Sequence, residues 1–112
     1  MADIQKKSGN PEVEAKIVTV PGVRSNWFVK KLDLKPNTKV TWRSGINSFI
    51  VWFPKDHNPV ASGKTEIYGK NGKASAEMGS KAGTYTYCIL VTDEAGEVHL
   101  VEGNSPPTMV IE

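Results

Sequence analysis

Apolar and polar residues alternate along most of the chain, and turn-forming residues interrupt the rhythm every eight to twelve positions. A period of two places successive side chains on opposite faces of an extended backbone, so these segments predict strands. Residues 1–12 are polar, end at Asn10-Pro11 and are expected to form a flexible arm ahead of a domain spanning 13–112. Strands are predicted over 13–20, 27–34, 39–44, 47–53, 64–68, 73–78, 84–92, 97–102 and 109–111. Pro21-Gly22, Lys35-Pro36-Asn37 and Asp93-Glu94-Ala95-Gly96 separate some of them, and proline presets the turn backbone. Asn71-Gly72, between two short strands, is a hairpin signal, because both residues accept positive φ. No window shows a helical period. Eight or nine short strands at this spacing predict an all-β sandwich.

Composition narrows the picture. The chain has 112 residues, which fits one domain with enough core to stand without disulfides or metal. Its net charge of +2 is spread over 14 basic and 12 acidic residues, with no clustered stripe for nucleic acid. No apolar run is long enough to cross a bilayer as a helix, so no membrane insertion is expected. The first ten residues hold no apolar segment of the secretory kind; a chain whose signal had been removed would read the same and would be periplasmic or extracellular. One cysteine, Cys88, excludes a disulfide within the chain.

Three pieces, in order, resemble the cupredoxin family. Leu34-Lys35-Pro36-Asn37-Thr38-Lys39-Val40-Thr41-Trp42 is similar to the family's turn and strand; the apolar run 49–53 follows it; and Ala82-Gly83-Thr84-Tyr85-Thr86-Tyr87 is similar to the Gly-Thr-Tyr-x-Tyr/Phe opening of the copper-cysteine strand. The resemblance covers about residues 30–112 and implies a Greek-key sandwich. In copper members it also implies a type 1 site of two histidines, a cysteine and an axial methionine, used for electron transfer.

The residues for that site do not fit the pattern. No histidine lies between Arg43 and Phe53, where the first is required. The family's cysteine falls on the face of the two aromatics before it, which here is position Ile89; Cys88 is one residue early and is predicted to face the other way. After Ile89 the strand is expected to continue to Thr92 rather than give way to a histidine loop. The resemblance therefore implies a copper-free, non-catalytic relative with no cofactor. The alternative is a rearranged copper site for electron transfer, using Cys88, His99, Met109 and His57.

Other chemistry is thin. Asp93, Glu94 and Glu97 read as an exposed polar turn, since they lack the dense oxygen pattern of a calcium loop. There is no Gly-x-Ser-x-Gly elbow or phosphate loop, so no enzyme is expected. What remains is apolar character on both faces of the middle strands. With Phe49, Val51, Phe53, Tyr85, Tyr87, Ile89 and Val91 inward, Ile50, Trp52, Cys88 and Leu90 face outward. Neighbouring outward residues of this kind predict an interface for a protein partner or a second copy, unless loops 54–63 and 103–107 cover them. Exposed Trp27 or Trp52 would alternatively offer a stacking platform for carbohydrate.

Overall fold

The two-residue rhythm becomes eleven strands and, among the described residues, no helix. The computed structural model describes residues 11–20, 26–45, 47–102 and 106–112, so most of the predicted arm lies outside the described residues. In chain order the strands are β1 (Glu12–Val20), β2 (Asn26–Val29), β3 (Leu32–Leu34), β4 (Lys39–Arg43), β5 (Ser48–Trp52), β6 (Glu66–Gly69), β7 (Lys73–Glu77), β8 (Gly83–Thr86), β9 (Cys88–Thr92), β10 (Val98–Leu100) and β11 (Thr108–Ile111). They form a sandwich from a four-stranded sheet β2-β1-β4-β7, a four-stranded sheet β10-β9-β5-β6 and a three-stranded sheet β3-β11-β8.

Two predicted strands are each split in two, which raises the count from nine to eleven. The segment 27–34 breaks at Lys30-Lys31: β2 pairs with β1, whereas β3 pairs with β11. Val29 and Leu32 are both buried although three residues apart, so the chain must turn between them to change sheets. The segment 84–92 breaks at Tyr87, whose N–H goes to the Pro107 carbonyl at 3.0 Å. Before it β8 pairs with β11; after it β9 pairs with β5 and β10. The expected unbroken strand is thus a crossing between sheets.

The Asn-Gly hairpin forms as read. Asn71 and Gly72 take φ values of 54° and 75°, and Lys70 and Lys73 exchange backbone hydrogen bonds of 3.0 and 3.1 Å. That turn carries the chain from β6 in one sheet to β7 in the other. Residues 54–63 also run along this side, with Ala61 N–H on the Glu77 carbonyl and Gly79 N–H on the Pro59 carbonyl.

Three aromatic rings lock the layers together. Trp42 on β4, Phe53 after β5 and Tyr87 at the sheet crossing have ring centroids 5.2–6.2 Å apart, and all are at most 1% exposed. Ring pairs at this separation add about 0.5–1.5 kcal/mol each beyond the area they bury. Burial pushes the Tyr87 hydroxyl up to about 12, against the smaller opposing effect of a long 3.5 Å hydrogen bond from the Trp42 indole.

Gly69 shows how tightly β6 sits on β5. A Cβ at this position would fall 2.5 Å from the Phe49 ring, which is itself buried. Gly69→Ala is expected to destabilise the protein by about 1–3 kcal/mol, the usual cost of overpacking. Phe49→Leu in the same chain relieves the clash, so urea unfolding of the double variant is expected to be better than additive; an additive result refutes the contact.

Candidate functional site

Side-chain direction along β8 and β9 decides what Cys88 can do. Tyr85, Tyr87, Ile89 and Val91 are all buried, while Cys88 is half-buried and Leu90 is 43% exposed. The break at Tyr87 leaves the alternation in phase. Cys88 therefore faces away from the core, and the position that matches the family's cysteine, Ile89, is fully buried aliphatic packing.

The other members of the alternative copper set lie elsewhere. Met109 is fully buried and pairs across to Tyr85 on β8. His57 stacks on the Tyr85 ring at 4.5 Å and donates from Nε2 to the Thr84 carbonyl at 2.9 Å. His99 lies against Trp27, ring centroids 5.7 Å apart, and donates from Nε2 to Asp93 Oδ2 at 2.7 Å. A thiol on the outer side of β9 and a thioether in the core do not share a coordination sphere. These residues do not fit a type 1 copper site.

Among the described residues, one group of three side chains has metal-ligand chemistry in common reach: Asp93, Glu97 and His99, with ligand atoms within 4.8 Å of one another. Its bonds explain it as a turn latch. Asp93 Oδ1 accepts the Ala95 and Glu97 N–H groups, both at 2.9 Å, and Oδ2 accepts His99. Gly96, at φ 85°, closes the loop with its N–H on the Asp93 carbonyl. The hydrogen bond from His99, then that from the Glu97 amide, holds the Asp93 carboxyl below its ordinary pKa. Glu94 and Glu97 are exposed as expected, but Asp93 is partly covered and bonded, a departure from a merely solvated turn. Asp93 and His99 lie six residues apart across the hairpin, and only the β9–β10 pairing reveals them as partners.

The four predicted interface residues come together on the outer face of β10-β9-β5-β6. Antiparallel pairing sets Ile50 beside Leu90 and Trp52 beside Cys88. It also extends the surface in a way the individual strands did not announce: Leu100 lies beside Leu90, and Tyr68 beside Ile50. One apolar row, Leu100–Leu90–Ile50–Tyr68, thus crosses all four strands. Leu100 is 59% exposed and Tyr68 58%. A shallow groove of about 480 Å³ runs past Ile50, Tyr68, Leu90 and Val98. Residues 54–63 do not cover this row, since they follow the β7 side; Pro106 and Pro107 share a second depression of about 510 Å³ with Cys88 and Leu100. Trp27 is half-buried under His99, which leaves Trp52, at 43% exposed, as the open indole on this face.

No protein-family model matches the chain, and no curated protein matches it either. Among solved structures the fold is similar to variants of amicyanin, a cupredoxin. A reduced Cu(I) form is 16% identical with a TM-score of 0.49, and a second Cu(I) variant is 15% identical with the same score. An oxidised variant is 16% identical with a TM-score of 0.46. Each match covers 95% of this chain and 87% of the other.

The Asp93 latch makes acid stability dependent on one carboxylate. A lowered folded-state pKa means its stabilisation is fully present above the ordinary carboxylate value and is lost as pH falls from there through the lower folded value. Wild type is expected to exceed Asp93→Asn in urea midpoint at neutral pH, with the gap narrowing progressively once the pH falls below the ordinary carboxylate value. A gap that stays constant across the titration refutes the latch.

Proposed function

We propose that this chain is a non-catalytic, copper-free binding module that docks a protein partner on the outer face of β10-β9-β5-β6. The observation that carries the reading is the apolar row crossing all four strands, three of whose members, Leu100, Leu90 and Tyr68, are 43–59% exposed. Scattered exposed apolar residues are ordinary, but a contiguous row rimmed by charge is the pattern of an interaction surface. Covering it with an apolar partner gains about 25 cal/mol for each Å² removed from water. Trp52 and Tyr68 supply large, stiff side chains of the kind that dominate binding energy.

The copper-free part of the reading rests on direction and identity. Ile89 stands where the thiolate is needed, and residues 44–53 contain no histidine. The non-catalytic part rests on the chemistry of the conspicuous groups. His57 is bonded to a backbone carbonyl, His99 to Asp93, and Cys88 lies on an apolar face beside Trp52.

Two measurements test this. Added copper(II) is expected to give no intense visible thiolate absorption; a strong band lost in Cys88→Ser establishes the electron-transfer alternative. An apolar dye, anilinonaphthalene sulfonate, is expected to brighten on dilute folded protein and to lose most of that signal with Trp52→Lys and Leu90→Lys together, at unchanged thermal midpoint. A dim wild-type sample removes the docking face.

A further inference from the structure

Across the core from the apolar row, the sheet β2-β1-β4-β7 has an outer side of different chemistry. Lys16, Arg43 and Lys73 are exposed and alternate with buried neighbours, Ala15 and Ile17 on β1, Trp42 and Ser44 on β4, and Ala74 on β7. All three therefore point outward. The register sets Lys16 opposite Arg43, and Arg43 opposite Lys73. The Asn71-Gly72 turn adds a fourth cation, since Lys70, also exposed, bridges to Lys73. Cations distant in sequence thus form one row, Lys16–Arg43–Lys73–Lys70, about 14 Å long at the usual spacing between strands. Like charges directly opposite one another destabilise a sheet. Among the described residues the row has one acidic contact, the ion pair of Arg43 with Glu14.

The rest of the face limits what fits on the row. Beside it lie Glu14 and the hydroxyls of Thr41 and Ser75, which bond each other at 2.8 Å. Glu12, Lys39 and Glu77 form the last row, about 13 Å away along the strands. That exceeds the roughly 8 Å over which exposed charges act at physiological salt. The β2 flank adds one charge of each sign, Lys30 and Glu102, the latter beside Phe28. A wide polyanion, such as a membrane or a nucleic-acid duplex, covers the carboxylates of Glu12 and Glu77 together with the cations. A narrow chain laid across the strands meets the cations and avoids those carboxylates.

Single-stranded nucleic acid binds by stacking its bases on aromatic rings. Among the described residues this face offers one ring, Phe28, half-buried and off the row. An extended acidic peptide turns alternate side chains away, so its facing carboxylates stand about 6.8 Å apart, wider than the cation interval. A sulfated sugar chain carries charge on successive rings at closer intervals, and its sulfates accept from point-charge donors such as lysine. From these constraints we infer that the outer face of β2-β1-β4-β7 binds a linear sulfated polysaccharide along Lys16–Arg43–Lys73–Lys70. The Thr41 and Ser75 hydroxyls lie alongside as partners for its sugar hydroxyls.

The test is binding of a fluorescein-labelled heparin fragment, followed by anisotropy. Wild type is expected to bind it, with log affinity falling against log salt at a slope of about three, the value for four contacts to a flexible chain. Lys16→Gln with Lys73→Gln is expected to weaken binding about tenfold or more and to lower the slope by about one to two. Lys35→Gln with Lys64→Gln removes the same charge off the row and is expected to leave affinity and slope close to wild type. All four side chains are exposed, so the fold tolerates both pairs. Equal loss in the two pairs overturns the row, because net charge alone then accounts for binding. Absence of binding at low salt overturns the site. A desulfated fragment that binds as well as the sulfated one overturns sulfate recognition. Tighter binding of oligothymidylate, a polyglutamate peptide or phosphatidylserine vesicles at equal anion concentration overturns the polysaccharide and assigns the row to that polyanion.

Discussion

The phase of side-chain alternation along residues 83–92 governs this molecule. Tyr85, Tyr87, Ile89 and Val91 point inward on a path that leaves one sheet and joins another, and the crossing at Tyr87 does not shift them by a single residue. A slip of one position there exchanges every inward side chain for an outward one. Tyr87 itself secures the crossing. Its amide is held by Pro107, and its ring sits between Trp42 of one layer and Phe53 of the other. The same phase that buries Ile89 turns Cys88 toward solvent, so core packing and surface chemistry share one cause.

Much of this is visible in the amino-acid sequence because period-two alternation is local. The strands around Trp42 and Val51, the Asn71-Gly72 turn and the outward direction of Cys88 need only neighbouring residues to be read. The changes of sheet at Lys30-Lys31 and Tyr87 are not local. They arise because β3 pairs with β11, Leu32 beside Met109, and β8 pairs with β11, Thr86 beside Thr108, a matter of long-range pairing that alternation does not encode. Register is hidden for the same reason. Ile50, Trp52, Cys88 and Leu90 are recognisable as outward residues one strand at a time, but Tyr68 and Leu100 join them only once β6 and β10 are set beside β5 and β9.

The two histidines show how a residue's surroundings settle its chemistry. Each is able to bind a metal in isolation. His57 is spent on a carbonyl and a tyrosine ring, and His99 on the carboxylate that organises a hairpin. Both are structural fasteners, one tied to a backbone carbonyl and the other to a turn carboxylate.

The strict division between the inner and outer sides of the β10-β9-β5-β6 sheet has an evolutionary consequence. Residues such as Leu90, Trp52 and Tyr68 touch solvent, whereas folding is anchored by Val51, Ile89 and Val91 on the reverse side. Mutations can therefore change the chemistry of the outer surface while leaving foldability almost untouched. A scaffold divided in this way is a robust platform on which new surface chemistry can be tried.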